Sequence, residues 1–154
     1  MTVIEFIKQI PIFGGLDEEE LAKVAGYLRQ RSYPAGEIIV REGEQAKELF
    51  IVHRGQVEIY KERARESAAA RIALLGEGEC FGEMSLIDIM PRSASVRAVS
   101  DTEAMSLSYS DFHALCVWRM ETYTMLVMNI AREISRRLRL ADSILAEVDT
   151  GPRR

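Results

Sequence analysis

Two charged residues within a run of small and apolar residues are the part of this sequence best suited to chemistry. Glu83 and Arg92 stand nine positions apart in the segment 81–98, FGEMSLIDIMPRSASVRA. Arginine presents a planar fork of donors that matches two phosphate oxygens. A glutamate does not suit an anion, but its carboxylate can accept hydrogen bonds from a ribose hydroxyl. The pair therefore predicts a phosphate and a ribose bound side by side.

The residues around this pair predict a tight turn that leads into one or two helical turns. Gly82 lacks a Cβ, so the backbone can approach a ligand closely. The first amide groups of a helix have no partner inside it, and together with the helix dipole they favour a phosphate. Ser85 adds a hydroxyl, and Pro91 ends any helix because the residue before a proline is pushed out of the α region. An exposed surface ion pair is the alternative, but it would not need these neighbours in this order.

The ordered combination FGE-x-S-L and then PR-S-A-S-V-x-A resembles the phosphate-binding cassette of the cyclic nucleotide-binding domain family. That family includes catabolite-activator-type regulators, regulatory domains of protein kinases A and G, and cyclic-nucleotide-gated channels. The resemblance extends over the β region and its YPAGE, REG and RGQV turns. It implies that Glu83, with Gly82 beside it, binds the ribose and that Arg92 binds the cyclic phosphate. It implies further phosphate contacts at Gly82, Met84, Ser85, Ser93 and Ala94.

The resemblance also implies an apolar pocket for the base beside the cassette. The residues expected to line it are Ile59, Ile72 and Leu74 from strands, and Ala141 and Asp142 from a C-terminal helix that acts as a lid. Asp142 only accepts hydrogen bonds, which suits the amino group of adenine. A hydroxyl directly after the arginine, here Ser93, is found in family members that accept cGMP. The two indications disagree, and we expect cAMP as the ligand, cGMP as the alternative, and no cofactor.

Composition is typical of a single soluble domain over residues 1–154. The chain is 47% apolar, which is enough for a core, and its formal net charge of −4 gives no overall attraction to nucleic acid or anionic membrane. It has no apolar run of transmembrane length, and Glu5 and Lys8 interrupt the apolar N-terminus, which therefore does not resemble a signal peptide. Cys80 and Cys116 fit neither a disulfide framework nor a metal cluster. We expect a cytoplasmic protein with buried, reduced thiols.

The pattern of turns predicts a mainly β fold, a jelly-roll barrel flanked by helices. Residues 1–30 form the N-terminal helical part, in which a helix begins after Asp17 with a capping box to Glu20 and ends near Gln30. Residues 31–108 carry about seven or eight short strands separated by turns, which is typical of a sandwich or jelly roll.

One strand connection in this β region, 62–69, is polar and alanine-rich and predicts a variable hairpin loop. Residues 109–148 are predicted to be helical, with one helix at 111–118 capped by Ser110 and a longer one at 121–148.

The longer helix carries an apolar stripe with heptad spacing. Its members are Val127, Ala131, Ile134, Leu138, Ala141, Leu145 and Val148. Such a stripe predicts a homodimer through helix 121–148. The alternative is that the helix packs against its own barrel, which needs a similar stripe. The neighbouring arginines, Arg132, Arg136, Arg137 and Arg139, are expected to lie on a solvated face.

The leading hypothesis is a sensor that binds a cyclic nucleotide and transmits binding through movement of its C-terminal helix. We expect no enzymatic activity, because no nucleophile–base pair, phosphate loop or paired catalytic acids stand out. A metal-dependent cupin shares the jelly-roll pattern but needs a cluster of histidines and a carboxylate. The chain has only His53 and His113, at a strand end and on a helix, so no metal is expected.

Two other functions fit the same sequence. One is a structural or dimerisation module that has the barrel but binds no ligand. The other is one part of a transcription regulator, although only six residues follow Val148 and no recognition domain is present, so direct nucleic-acid binding is not expected. The sequence does not identify the downstream partner, nor whether the chain is a complete protein or a fragment.

Overall fold

The computed structural model describes residues 1–62 and 70–149, so all of the predicted variable loop except Glu62 lies outside the described residues. The described strands are β1 (Arg29–Tyr33), β2 (Ile38–Val40), β3 (Glu48–Arg54), β4 (Val57–Lys61), β5 (Ala70–Leu75), β6 (Cys80–Phe81), β7 (Ser95–Ala98) and β8 (Thr102–Ser108). They form two four-stranded antiparallel sheets in the orders β1-β8-β3-β6 and β2-β7-β4-β5. The predicted jelly roll is confirmed.

Strand β3 explains how two cores form around one sheet. Leu49 and Ile51 belong to a cluster shared with the helices, whereas Phe50 and Val52 belong to a cluster between the sheets. Successive side chains of a strand point to opposite faces, so a strand buried on both faces must be continuously apolar. The ring of Phe50 stacks at 4.9 Å on that of Phe81 of β6, the first residue of the cassette.

The N-terminal part forms α1 (Val3–Ile7), a 3-10 turn at Pro11–Phe13, and α2 (Glu18–Tyr27). The predicted capping box between Asp17 and Glu20 is present. The predicted end of this helix near Gln30 is wrong, because α2 ends at Tyr27. Residues 29–33 instead pair with β8 as strand β1.

The cassette contains one short helix, α3 (Met84–Asp88). It does not continue to Pro91, because Ile89 takes the left-handed conformation with φ 58° and closes the helix through its amide to the Ser85 carbonyl. Ile89 is also 90% exposed.

The C-terminal part forms α4 (Tyr109–Trp118) and α5 (Met120–Asp149), separated only by Arg119 in an extended conformation. The predicted cap, Ser110, is wrong, because α4 begins earlier and the Ser108 hydroxyl accepts the Asp111 amide at 3.1 Å. None of the described helices is both long enough and apolar enough to span a membrane.

The two halves of α5 have different surroundings. In the first half, Leu126 and Ile130 are buried in the core, and Val127 and Ile134 of the apolar stripe pack beside them. In the second half, the stripe is exposed, and Leu145 retains 66% of its accessible surface. Packing against the barrel therefore accounts for the stripe only as far as Ile134.

Candidate functional site

Glu83 and Arg92 are both buried, with 4% and 8% of their surface exposed. Glu83 stands at the N-terminal end of α3, and Arg92 lies in the segment between α3 and β7. The alternative of an exposed surface ion pair is therefore wrong. Buried charges need compensating partners, and each of these two has its own.

The guanidinium of Arg92 is held by backbone carbonyls. Its Nη2 donates to the Glu48 carbonyl at 2.7 Å, and its Nη1 donates to the Gly82 carbonyl at 3.1 Å. Gly82 has φ +84°, and a Cβ there would lie 2.5 Å from Nη1. A side chain at position 82 would thus clash with the arginine, so glycine is required for the close approach of Arg92 as well as for the turn.

The backbone around Arg92 is fixed against the turn between β2 and β3. The Arg92 amide donates to the Glu44 carbonyl at 2.9 Å, and the Arg92 carbonyl accepts the Gly43 amide at 2.9 Å. On the other side, the Lys61 ammonium at the end of β4 donates to the Ser93 carbonyl. The segment that carries Arg92 is therefore held by the β2–β3 turn and by the end of β4.

The partner of Glu83 comes from α5. Nη1 of Arg137 donates to Oε1 of Glu83 at 2.8 Å, and its Nη2 donates to the Cys80 carbonyl at 2.8 Å. The expectation that the arginine cluster lies on a solvated face is wrong for Arg137, because this side chain crosses from α5 to the cassette. No local sequence signal distinguishes it from Arg136, because both arginines also form ion pairs with Glu133 on the same helix.

Burial raises the pKa of Glu83 above its usual range, and the nearby Arg137 only partly opposes this effect. Burial also raises the pKa of the Cys80 thiol to about 12, so that this thiol stays protonated. Both cysteines are free, but Cys116 is only half-buried. The charged form of Glu83 is therefore costly where it stands, which is common for groups at binding sites.

A tyrosine that sequence reasoning missed also contacts the cassette. The hydroxyl of Tyr109, the first residue of α4, donates to the Gly82 carbonyl at 2.6 Å. Its oxygen lies 3.5 Å from Nη1 of Arg92. Only the folded chain brings these residues together, because Tyr109 follows Gly82 by 27 positions.

Comparison with known proteins identifies this arrangement. The family model for the cyclic nucleotide-binding domain matches residues 30–117, which include β2–β8 and the whole cassette. The chain belongs to the cyclic nucleotide-binding domain family.

Relatives of this cyclic nucleotide-binding domain differ in the share of their length that this chain covers. The chain is 38% identical over 136 residues to the cyclic AMP receptor protein of Thermus thermophilus, covering 88% of this chain and 61% of that protein. It is 32% identical over 110 residues to a cAMP-dependent protein kinase regulatory subunit of Emericella nidulans, covering 71% of this chain and 26% of that protein. A cyclic nucleotide-binding domain from Methylobacillus flagellatus superposes with a TM-score of 0.82 at 27% identity, covering 94% of this chain and 82% of that one. The chain thus spans less than two thirds of the length of these two curated relatives.

The other residues predicted to contact the phosphate lie next to Glu83 and Arg92 along the chain. Ser85 is buried in α3, and Met84 beside it is half exposed. Ser93 is exposed and Ala94 is half-buried in the segment after Arg92.

The candidates for the base pocket are spread more widely. Ile59 packs against the core between the sheets, whereas Ile72 and Leu74 are 57% and 42% exposed. Ala141 and Asp142 are exposed on α5, about one turn beyond Arg137.

Two clefts of the described surface lie elsewhere. One of about 290 Å³ is bordered by Pro11, Glu79 and Arg136, and one of about 450 Å³ is bordered by Tyr33 and Glu103. Neither is lined by Glu83 or Arg92. Within residues 1–62 and 70–149, no three histidine, cysteine or acidic side chains are grouped to hold a metal ion.

Proposed function

We propose that this domain binds a cyclic purine nucleotide, cAMP in preference to cGMP, and transmits binding through α5. The ion pair between Glu83 and Arg137 carries the proposal, because it joins the carboxylate expected to bind ribose directly to the long helix. A ligand that contacts Glu83 must change the surroundings of Arg137. Differential contacts of this kind are what a population shift requires.

Arg92 supplies the phosphate site. Its Nε–H has no acceptor among the described residues, and its two other nitrogens donate to carbonyls. A phosphate would offer this planar fork of donors two anionic oxygens, which arginine binds in bidentate geometry. Arg92 is 8% exposed, so that most of its side chain is enclosed by protein, where electrostatic interactions are stronger than in water.

Glu83 supplies the ribose site. Arg137 occupies Oε1, and a carboxylate with two oxygens has capacity for further donors. A ribose hydroxyl that donates to Glu83 would stabilise the ionised form, which burial disfavours.

The preference for cAMP rests on one residue of α5 and on the names of relatives. Asp142 on α5 is an acceptor suited to the amino group of adenine, and relatives at 38% and 32% identity are named for cAMP, whereas one at 31% is named as a cGMP-dependent protein kinase. The Ser93 hydroxyl beside Arg92 is the feature that would admit cGMP.

Titration calorimetry of Arg92→Ala with cAMP and cGMP tests the binding function. Removing one partner of a buried charge pair costs about 2–5 kcal/mol, so we expect affinity to fall at least ~30-fold. Arg132→Ala, on the exposed surface of α5, should leave affinity unchanged. Thermal melting without ligand establishes that both variants are folded. Unchanged affinity in a folded Arg92→Ala would reject the assignment.

We also propose that the exposed half of the apolar stripe pairs two copies of the chain. Leu138, Leu145 and Val148 are 60%, 66% and 74% exposed on one helix. Large apolar side chains aligned at heptad spacing are unfavourable in water and are suited to a second helix of the same pattern.

Sedimentation of Leu145→Glu against Leu140→Glu tests the pairing. Leu140 is 57% exposed but lies outside the stripe, so the two substitutions are chemically matched. We expect Leu145→Glu to yield monomers and Leu140→Glu to keep the dimer of the parent chain. A monomeric parent, or equal behaviour of both variants, would reject the pairing.

A further inference from the structure

Tyr109 joins the cassette to helix α4 at two points. Its hydroxyl donates to the Gly82 carbonyl at 2.6 Å, and its backbone amide donates to the Lys47 carbonyl at 2.9 Å. The next residue, Glu48, supplies the carbonyl that accepts Nη2 of Arg92 at 2.7 Å. Tyr109, the first residue of α4, therefore bonds to the backbone at or beside both carbonyls that hold the Arg92 guanidinium, those of Gly82 and Glu48.

The hydroxyl bond is the part of this link that belongs to the side chain. The phenol is protonated at neutral pH even at the usual tyrosine pKa of about 10, and burial raises the pKa of Tyr109 further, so the hydroxyl remains a donor. Gly82 directly precedes Glu83, the residue assigned to ribose. A displacement of this backbone moves the acceptor of the phenol.

Helix α4 can carry such a displacement to α5. Its ten residues form a rigid rod about 15 Å long that ends at Trp118. Arg119 then provides a single extended residue before α5, and its guanidinium lies 4.4 Å from the centre of the Trp118 ring. Lys23 of α2 approaches the same ring at 5.4 Å. Movement of α4 would change both cationic neighbours of the indole.

We propose that the Tyr109 hydroxyl is a positioning group that transmits ligand binding at the cassette to α4 and to the start of α5. A phosphate at Arg92 competes with the Gly82 carbonyl for Nη1, and the phenol then becomes the main donor to that carbonyl. Arg137 contacts Glu83 from the middle of α5, whereas Tyr109 acts at its beginning. This inference rests on the proposed binding of a cyclic nucleotide.

Trp118 provides the readout, because it is the single tryptophan of the chain. Binding of cAMP is measured by calorimetry, and its effect on α4 by the fluorescence of Trp118 under selective excitation. The test variant is Tyr109→Phe, which removes only the hydroxyl. The matched control is Tyr123→Phe, since Tyr123 packs edge-on against Phe112 and its hydroxyl has no hydrogen-bond partner among the described residues.

In the parent chain and in Tyr123→Phe, saturating cAMP should change Trp118 emission to the same extent. Tyr109→Phe should still bind cAMP, with affinity reduced less than ~10-fold, as expected for one neutral hydrogen bond. Its emission change should fall below about a third of the parent value. Binding and transmission would then be separated in one variant.

Several outcomes overturn the inference. A full emission change in Tyr109→Phe shows that the hydroxyl transmits nothing, and a folded Tyr109→Phe that no longer binds shows that it belongs to the binding site itself. If the parent chain binds cAMP and its Trp118 emission does not change, ligand binding does not reach α4. A parent chain that shows neither binding heat nor a shift of its thermal midpoint with cAMP refutes the proposed function, and this inference falls with it.

If Tyr109→Phe does not fold, amide hydrogen exchange of the parent chain decides the question. Saturating cAMP should alter the exchange rates of the α4 amides at least several-fold, because the first turn of this helix is bonded to the cassette. Unchanged rates in α4 overturn the inference.

Discussion

Two buried carboxylates, each bonded to arginine, have pKa values displaced in opposite directions. Glu58 lies on β4, where Nε of Arg97 donates to one oxygen at 2.9 Å and Nη2 of Arg71 donates to the other at 2.8 Å. These bonds, that of Arg97 first, lower the pKa of Glu58. The pKa of Glu83 is raised by burial, although Arg137 lies equally close.

The difference comes from what covers each carboxylate. Glu58 is covered by two arginines that are themselves about half exposed, so that water still solvates the group of three charges. Glu83 is enclosed by protein and receives a charged donor on one oxygen only. The carboxylate of Glu58 already has a charged donor on each oxygen, whereas that of Glu83 keeps capacity for a further donor, as groups at binding sites often do.

The largest expected contrast is in stability. Arg137→Met leaves Glu83 buried without its cation, which typically costs about 3–5 kcal/mol. Burial already raises the pKa of Glu83, so protonation relieves part of this cost, and we expect a loss of about 2–4 kcal/mol at pH 7. Arg97→Met should lose only about 1 kcal/mol, because Arg71 remains and solvent screens the group. Urea unfolding without nucleotide measures the loss of stability in each variant. Equal losses would show that the two carboxylates do not differ in their surroundings.

The next contrast is in affinity. Glu83→Gln exchanges a charged acceptor for a neutral amide, and hydrogen bonds to charged groups contribute about 1.5–3 kcal/mol. We therefore expect cAMP affinity to fall ~10- to 100-fold. Glu58→Gln, outside the cassette, should stay within about 2-fold. Calorimetry at pH 7 compares the two, and a similar loss in both variants would show that Glu83 has no special relation to the ligand.

The smallest contrast is in the pH dependence of stability. Because the pKa of folded Glu58 is lowered, its carboxylate contributes stability above the unfolded pKa of about 4.3, and this is lost as pH falls through the folded pKa. Glu58→Gln should therefore be about 1 kcal/mol less stable than the parent at pH 7, with the deficit shrinking below about pH 4. The raised pKa of Glu83 has the opposite sign, since its contribution is complete below about pH 4.3 and is lost as pH rises through the folded pKa.

Urea unfolding of the parent, Glu58→Gln and Glu83→Gln between pH 3 and pH 7 tests these opposite signs. Parallel pH profiles for the two variants would contradict the assignment of different surroundings to the two carboxylates.

Local sequence patterns predicted the parts of the fold that depend on local interactions. The capping box at Asp17 and the two C-terminal helices were predicted closely, because caps and helical periodicity are encoded within a few residues. Strand β1 was missed, since RQRSY has no apolar alternation and is a strand only through its pairing with β8.

The same limit applies to the site. Gly82, Glu83 and Arg92 lie in one continuous motif, so they could be predicted as site residues from the sequence. In the structure Arg92 bonds to the Gly82 carbonyl, and Glu83 bonds to Arg137. Arg137 follows Glu83 by 54 positions and Tyr109 follows Gly82 by 27, so only the folded chain reveals their contacts.

Ile89, the residue that closes α3, has one further consequence. A branched side chain at φ 58° stores roughly 1–2 kcal/mol of steric strain, and its 90% exposure means that little packing offsets it. Any rearrangement that returns Ile89 to an ordinary backbone region releases this energy, so the cassette is easier to reshape than a relaxed loop would be. Glycine adopts this conformation without steric cost, so an Ile89→Gly substitution would remove the strain. We expect the thermal midpoint of this variant to lie above that of the parent.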